Sequence, residues 1–359
     1  MAKNANLMEA KRKKDDEFYT QRGDIENELS HYSEHFRGKV IYCNCDDPVS
    51  SEFWQYFVRN FKPFGIKKLL ATHYEPDEKN FAYKLEICED TNGDGKIDIN
   101  DEPTISQIPC NGDFRSAYCI DLLKEADIVV TNPPFSLITE YVLQLIEYQK
   151  KFIIVAPFSA VAREEIFCLF QNNKIWLGYG FDKGNAYFRI PAENAPNYAK
   201  GVYDPETGLV KFRNCTWFTN IDIPKRHQCI DLRGNKYSEE RYPKYYNYDG
   251  IDVSKVADIP EDYYGYIGVP ITFMQQHNPE QFEIIGRGND VPKKYIHRSI
   301  NGEWIVYEDE SGNIVWKTPY TVKERKTGNS LRIDNNGEPG EIPYSRIIIK
   351  RIMKNGNEN

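Results

Sequence analysis

The chain has 359 residues, 40% hydrophobic and 28% charged, which is enough apolar side chain for two cores and excludes a disordered polyampholyte. No apolar run approaches the roughly eighteen residues of a membrane-spanning helix, and "MAKNANLMEAKRKKDDEFYT" lacks the apolar centre of a secretory signal, so a cytoplasmic protein without membrane association is expected. The net charge of −8 argues only weakly against a polyanionic partner, because residues 75–103 alone hold ten acidic and three basic residues, whereas Lys225 to the end holds twenty of each sign.

Taken in chain order, residues 1–35 are polar and charge-dense and predict a mobile arm leading into a helix. "GKVIYCNCDDP" (38–48) reads as turn, strand and loop. In "SSEFWQYFVRNFKPFG", Phe53, Trp54, Phe57, Val58 and Phe61 recur at helical spacing. Ser50 or Ser51 can cap that helix, and Pro63-Phe64-Gly65 ends it. "KKLLATHY" (67–74) is a second strand and "ADIVVTNPPF" a later one, followed by helical "SLITEYVLQLIEYQ" (136–149). "KFIIVAPFSA" (151–160) is a further buried strand before helical "REEIFCLFQN", and "KIWLGY", "AYFRIP" and "CTWFTNI" are β-rich. Strands alternating with helices predict an α/β fold with a parallel sheet covered on both faces. Beyond Pro224 the texture changes to tyrosine, proline and glycine with short strand-like runs, which predicts a second, loop-rich α+β domain. The expected boundaries are 1–224, with an acidic insert at 75–103, and 225–359. The eight cysteines are scattered with no CxxC pair, so reduced thiols are expected and zinc is not.

The chemistry concentrates at Asn132-Pro133-Pro134-Phe135, after the apolar run Ile128-Val129-Val130. In open α/β sheets ligands bind beyond the carboxyl ends of strands. The Asn132 side-chain oxygen and the Pro133 carbonyl can accept both hydrogens of an exocyclic amino group, which draws its nitrogen lone pair out of conjugation and toward an electrophile. The two prolines fix the backbone. Phe135 offers a face on which a base can stack, and a base in a duplex reaches such a pocket only by leaving the helix. The structural alternative is a proline-rich strand-to-helix turn with a buried Phe.

"NPPF" resembles the (N/D)PP(Y/F) motif of amino-group methyltransferases that use S-adenosylmethionine. "DEFYTQ" (16–21) resembles their N-terminal cofactor contact, "VIYCNCDDP" takes the place of the first-strand motif without its glycines, and "GDFRS" (112–116) resembles the segment that grips the cofactor adenine. Together with "AYKLE", "GYIGVPITF" and "NPEQFEIIG", these motifs in this order resemble the EcoRI-type adenine-specific DNA methyltransferases over roughly residues 10–350. The resemblance implies a Rossmann-like S-adenosylmethionine-dependent methyltransferase domain followed by a DNA-recognition domain. It implies catalytic roles for Asn132, Pro133, Pro134 and Phe135. It places Tyr19 and Thr20 at the methionine end of the cofactor, Asn44, Asp46 and Asp47 on the first-strand loop, Asp113 and Phe114 at the adenine, and Asn132 beside the methyl donor. Thr72, His73 and Tyr74 end the second strand, where an acidic ribose ligand often lies, and none of them is acidic. Trp217 and Phe218 read either as a second wall of the base pocket or as sheet core.

Double-stranded DNA is the expected partner, with a restriction endonuclease acting separately and the enzyme itself a monomer. Arg287, Lys293, Lys294, Arg298, Lys323, Arg325 and Lys326, interleaved with aromatics, are candidate phosphate and base contacts. Glutamine-directed protein methyltransferases, RNA methyltransferases and an inactive DNA-binding protein stay open as alternatives. Finally, "DTNGDGKIDIND" (90–101) has the spacing of a calcium-binding loop, with Asp90, Asn92, Asp94, the Lys96 carbonyl, Asp98 and Asp101 as ligands. The same stretch also reads as a hairpin turning at "NGDG".

Overall fold

A computed structural model of the chain describes residues 18–45, 47–49, 51–75, 81–88, 103–181, 184–190, 195–196, 198, 201–319, 331–342 and 344–353. Two compact units emerge, one of Met1–Phe170 with Lys174–Ile223, the other of Gln171–Asn173 with Pro224–Asn359.

The first unit is built on an eight-stranded sheet. Its strands are β2 (Val40–Cys43), β3 (Lys68–Thr72), β4 (Tyr83–Ile87), β5 (Thr104–Gln107), β6 (Ile128–Thr131), β7 (Lys151–Pro157), β8 (Trp176–Leu177) and β12 (Cys215–Thr219). They lie in the order β5-β4-β3-β2-β6-β7-β12-β8. Only the centre is parallel: β2 pairs β3 and β6 in parallel, and β6 pairs β7 likewise. Both flanks are antiparallel, where a fully parallel sheet is expected from the strand–helix alternation. Parallel neighbours need a long crossover, whereas antiparallel ones can follow one another directly in the chain, as β3, β4 and β5 do.

Helix α2 (Glu52–Phe64) forms because its apolar residues share one face. Phe53, Trp54, Tyr56, Phe57 and Phe61 are buried, the Ser51 side chain accepts from the Phe53 amide, and Gly65 at φ +64° ends the last turn. Helices α3 (Ala117–Glu125), α4 (Ile138–Glu147) and α5 (Glu164–Gln171) follow the later strands in the same manner.

The N-terminal segment leads into a helix as expected, but from Phe18 onward it is core and not a mobile arm. Phe18 precedes β1 (Tyr19–Thr20), and α1 (Arg22–Leu29) runs into a 3-10 segment, Ser30–Phe36. Ile25, Leu29, Tyr32 and Phe36 are fully buried among charged neighbours that dominate the composition. β1 pairs antiparallel with β9 (Asn185–Arg189), with Tyr19 opposite Arg189 and Thr20 opposite Phe188. β11 (Leu209–Arg213) and β10 (Tyr203–Asp204) complete this second, four-stranded sheet.

The second unit holds β13 (Gly250–Asp252), β14 (Tyr266–Pro270), β15 (Phe282–Arg287) and β21 (Arg346–Arg351) in the order β13-β14-β21-β15. β16 (Ile296–Ile300), β17 (Trp304–Glu308) and β18 (Ile314–Pro319) form a three-stranded antiparallel sheet, and β19 (Ile333–Asn335) pairs β20 (Glu338–Gly340). Among the described residues from Pro224 onward, regular structure consists of strands and 3-10 turns, where the sequence predicts α+β. A buried ion pair sits in this unit's core. Arg346 Nε and Nη2 lie 2.8 and 3.1 Å from the two Asp252 oxygens, and the Tyr245 hydroxyl donates to Asp252 Oδ1 at 2.8 Å. Among the described residues, no helix is long and apolar enough to cross a membrane.

Candidate active site

The catalytic candidates stand at the carboxyl end of β6, whose four residues are all buried. The Thr131 hydroxyl accepts the Cys45 amide at 3.2 Å, tying this end to the loop after β2. Asn132 is 7% exposed, and its Nδ2 donates to the Phe18 carbonyl at 2.5 Å. Because the amide is planar, its oxygen therefore points away from Phe18. Pro134 holds φ at −58°, and its carbonyl accepts the Leu137 amide at 3.0 Å, which opens the 3-10 turn leading into α4. Phe135 is 1% exposed. Its ring stacks on Phe18 at 5.7 Å and 29° and meets Phe188 and Phe212 edge-on.

The predicted cofactor residues gather at the ends of β1, β2 and β3. Asn44 is buried and accepts the Tyr141 hydroxyl at 2.5 Å; burial pushes the Tyr141 phenol well above its ordinary range. Asp47 Oδ1 accepts the Tyr83 hydroxyl at 2.9 Å and the Val49 amide at 3.1 Å, and the Asp47 carbonyl accepts the Ser51 amide at 2.7 Å. Side chains thus shape this glycine-free loop. Asp46 lies outside the described residues.

Asp113 is ion-paired to Arg115 at 2.6 Å, and this hydrogen-bonded guanidinium holds its carboxyl below the ordinary range despite partial burial. Phe114 is 5% exposed and edge-on to Tyr141, with ring centroids 5.0 Å apart. Gly112 has φ +80°, and a Cβ there would fall 2.1 Å from the His73 carbonyl, so only glycine lets this segment lie against the end of β3. Thr20 is 2% exposed, and its Oγ1 has no hydrogen-bond partner among the described residues. An orphaned buried hydroxyl, a glycine-lined approach and a buried amide beyond three parallel strands together fit a nucleotide-like cofactor.

Three further residues become visible only in three dimensions. Glu75 follows β3; its amide donates to the Asn111 carbonyl at 2.9 Å, and its carboxylate lies 3.7 Å from His73 Nε2. An acid therefore stands three residues past the end of β3, just beyond Thr72, His73 and Tyr74, none of which is acidic. Glu28, fully buried on α1, accepts the Tyr32 hydroxyl at 2.8 Å and the Tyr179 and Gly180 amides at 2.9 Å each. Phe18 contributes both its carbonyl and its ring, as described above. By contrast, Trp217 and Phe218 are sheet core, with Trp217 stacked on Phe181 at 5.5 Å.

The calcium-loop residues Asp90, Asn92, Asp94, Lys96, Asp98 and Asp101 lie outside the described residues. The strands flanking them, β4 and β5, pair antiparallel with Tyr83 opposite Gln107. Among the described residues no cluster of three or more His, Cys, Asp or Glu side chains is arranged to hold a metal.

A parallel-centred sheet with an amide–proline–proline–aromatic loop at the end of β6 defines the class of methyltransferases that act on amino nitrogens. Residues 6–352 match the family described as "Adenine-specific methyltransferase EcoRI", and the chain belongs to that family. It is 46% identical over 314 residues to the type II methyltransferase M.EcoRI of Escherichia coli, covering 84% of this chain and 95% of that protein. It is 38% identical over 284 residues to the type II methyltransferase M.MpnI of Mycoplasma pneumoniae, covering 77% and 83%. No solved structure matches the chain.

Proposed function

We propose that the protein transfers the methyl group of S-adenosylmethionine to the N6 amino nitrogen of an adenine flipped out of duplex DNA. It would serve as the modification half of a type II restriction–modification pair, monomeric and separate from its endonuclease. The observation that carries this reading is Asn132: its nitrogen is engaged by the Phe18 carbonyl, so its oxygen end faces the other way. Beside it, the Pro133 carbonyl is the second acceptor for the amine hydrogens. Accepting both leaves the N6 lone pair free to attack. Phe135 supplies the ring against which the base stacks.

S-adenosylmethionine brings a methyl group already activated on a sulfonium, so the protein's task is alignment. Thr20, Asn44, Glu75, Asp113 and Phe114 are the residues that would hold the cofactor, with Glu75 as the acid for its ribose hydroxyls. The second unit serves as the recognition domain. Several of its cations are engaged internally: Arg298 with Glu308 at 2.7 Å, Arg287 with Asp290, and Lys293 with the Gly288 and Val291 carbonyls. Burial lowers the Lys293 ammonium to about 8. Lys294 and Lys317, lying over the Tyr295 and Trp304 rings at 5.2 and 4.4 Å, are the better candidates for DNA contact. Lys323, Arg325 and Lys326 lie outside the described residues. Calcium, taken by the loop at 90–101, would be a structural ion, detectable by calorimetric titration of chelator-stripped protein.

The deciding experiment supplies labelled cofactor with duplex DNA, RNA and protein substrates in parallel. Label recovered as N6-methyladenine in DNA is the expected result. Label in cytosine, or in protein or RNA with DNA unmodified, overturns the reading.

A further inference from the structure

One face of Phe135, the kind of surface a flipped adenine needs, is covered by the ring of Phe18. The two rings are stacked at 5.7 Å and 29°, and Phe18 also meets Phe212 edge-on at 4.7 Å and Phe188 at 5.8 Å. Phe18 is 5% exposed and Phe135 1%, so no base can reach Phe135 while this packing holds. The backbone of Phe18, in contrast, has reasons to stay. Its carbonyl accepts from Asn132 Nδ2, and the next two residues are registered in the β1–β9 ladder. Moving the main chain would cost those hydrogen bonds and release the Asn132 amide. Rotating the side chain about χ1 costs only ring contacts.

We propose that Phe18 is a placeholder for the target base. Its ring fills the stacking position on Phe135 until the adenine arrives and then swings aside, while its carbonyl keeps the Asn132 amide turned toward the incoming amine. Two properties of one residue suit it to this task. An aromatic ring can trade places with a base because both present a flat apolar face. A main-chain carbonyl fixed in a sheet can hold the catalytic amide through the exchange, whatever the ring does. While the ring is in place, the apolar wall that receives the base stays dry, and flipping must displace the ring. The inference rests on the assignment of Phe135 as the base-stacking residue.

The test uses the full chain with duplex DNA carrying 2-aminopurine at the methylated position and S-adenosylhomocysteine as cofactor, followed by stopped-flow fluorescence. In the native protein the fluorescence change reports the base leaving the stack. In Phe18→Ala, flipping is expected to be faster by about 2- to 10-fold, the range set by one aromatic pair. Should Phe18→Ala fail to fold, Phe18→Leu keeps the apolar volume without the ring face and is expected to shift the rate in the same direction. A rate equal to or below the native one in the folded variant overturns the placeholder and leaves the role of Phe135 standing. No fluorescence change in the native protein, under conditions where it methylates the unsubstituted DNA, overturns the stacking role of Phe135 and the placeholder with it.

Discussion

In its proposed role Asn132 has to be both fixed and open to its substrate, two demands that the two ends of one amide can divide. The nitrogen is held by the Phe18 carbonyl, and on the proposed reading the oxygen serves the amine. Asn132→Ala is therefore expected to lower single-turnover methyl transfer about 100-fold or more, the usual size for loss of an oriented group acting on the transition state. Cofactor affinity should be retained; near-native turnover would contradict the assignment. Asp113 makes the converse case. Its proposed bond to the cofactor's adenine amine requires an ionised carboxylate, and Arg115 holds its carboxyl below the ordinary value, about 3.9 for Asp. A carboxyl shifted downward stays charged as the pH falls through that ordinary value. Cofactor binding should thus be flat through mildly acidic pH in the native protein. In Arg115→Ala it should begin to weaken at higher pH, and in Asp113→Ala it should be weak throughout. Equilibrium binding across pH checks this, and unaltered affinity in Asp113→Ala would remove Asp113 from the site.

Among the elements, the insert strands β4 and β5 bear on both stability and the cofactor loop. Tyr83 on β4 bonds Asp47, while Glu86 on the same strand sits between Lys68 and Lys84 at 2.7 and 2.6 Å. Burial alone would raise the Glu86 carboxyl, but the two ammonium groups outweigh it and hold it at about 2. A lowered carboxyl contributes stability above its unfolded value, near 4.3, and loses it as the pH falls toward 2. Glu86→Gln should cost roughly 1–2 kcal/mol at neutral pH, allowing for solvent screening, and should flatten the acid limb of the stability curve between those two values. Denaturant unfolding at several pH values measures both; parallel curves for the two proteins would reject the linkage. The hairpin reading of the acidic insert anticipates these two strands, which pair antiparallel on either side of it. Legible too were α2 and the β6 loop, whose apolar spacing and prolines act locally. The helix to which the polar N-terminal segment leads was legible and is α1, but its burial was not, since Ile25, Leu29, Tyr32 and Phe36 lie among charges that predict a mobile arm. Nor were the antiparallel flanks of the sheet, because strand direction follows from which strands meet and not from their composition.

At the scale of the whole molecule, the motif order in the sequence located Asn132 and the Gly112–Phe114 segment. Phe18 and Glu28 stayed hidden, because their partners lie 114 and 152 residues away and no local pattern marks such a contact. Glu75 stayed hidden because it lies past Thr72, His73 and Tyr74, the strand-end positions where a ribose ligand is expected. On the proposed reading the chemistry belongs to the first unit and recognition to the second. That separation can be probed through the Arg346–Asp252 pair, which lies wholly in the second unit with both side chains 3% exposed. Asp252→Asn keeps the shape and removes the charge, leaving the Arg346 guanidinium buried without its counter-ion. Breaking a buried pair from one side typically costs about 3–5 kcal/mol. Tyr245, whose hydroxyl donates to Asp252, loses its charged acceptor in the same change. The β13–β14–β21 core around this pair should loosen, while the cofactor residues on β1, β2 and β3 are untouched. In full-length protein the variant is therefore expected to bind its DNA sequence more weakly, with cofactor affinity close to native. Fluorescence anisotropy with labelled duplex and calorimetry with S-adenosylhomocysteine give the two values from one preparation. Native DNA affinity in a variant shown by unfolding to be destabilised would argue that the second unit does not recognise DNA. A parallel loss of both affinities would show that the two units do not divide the work.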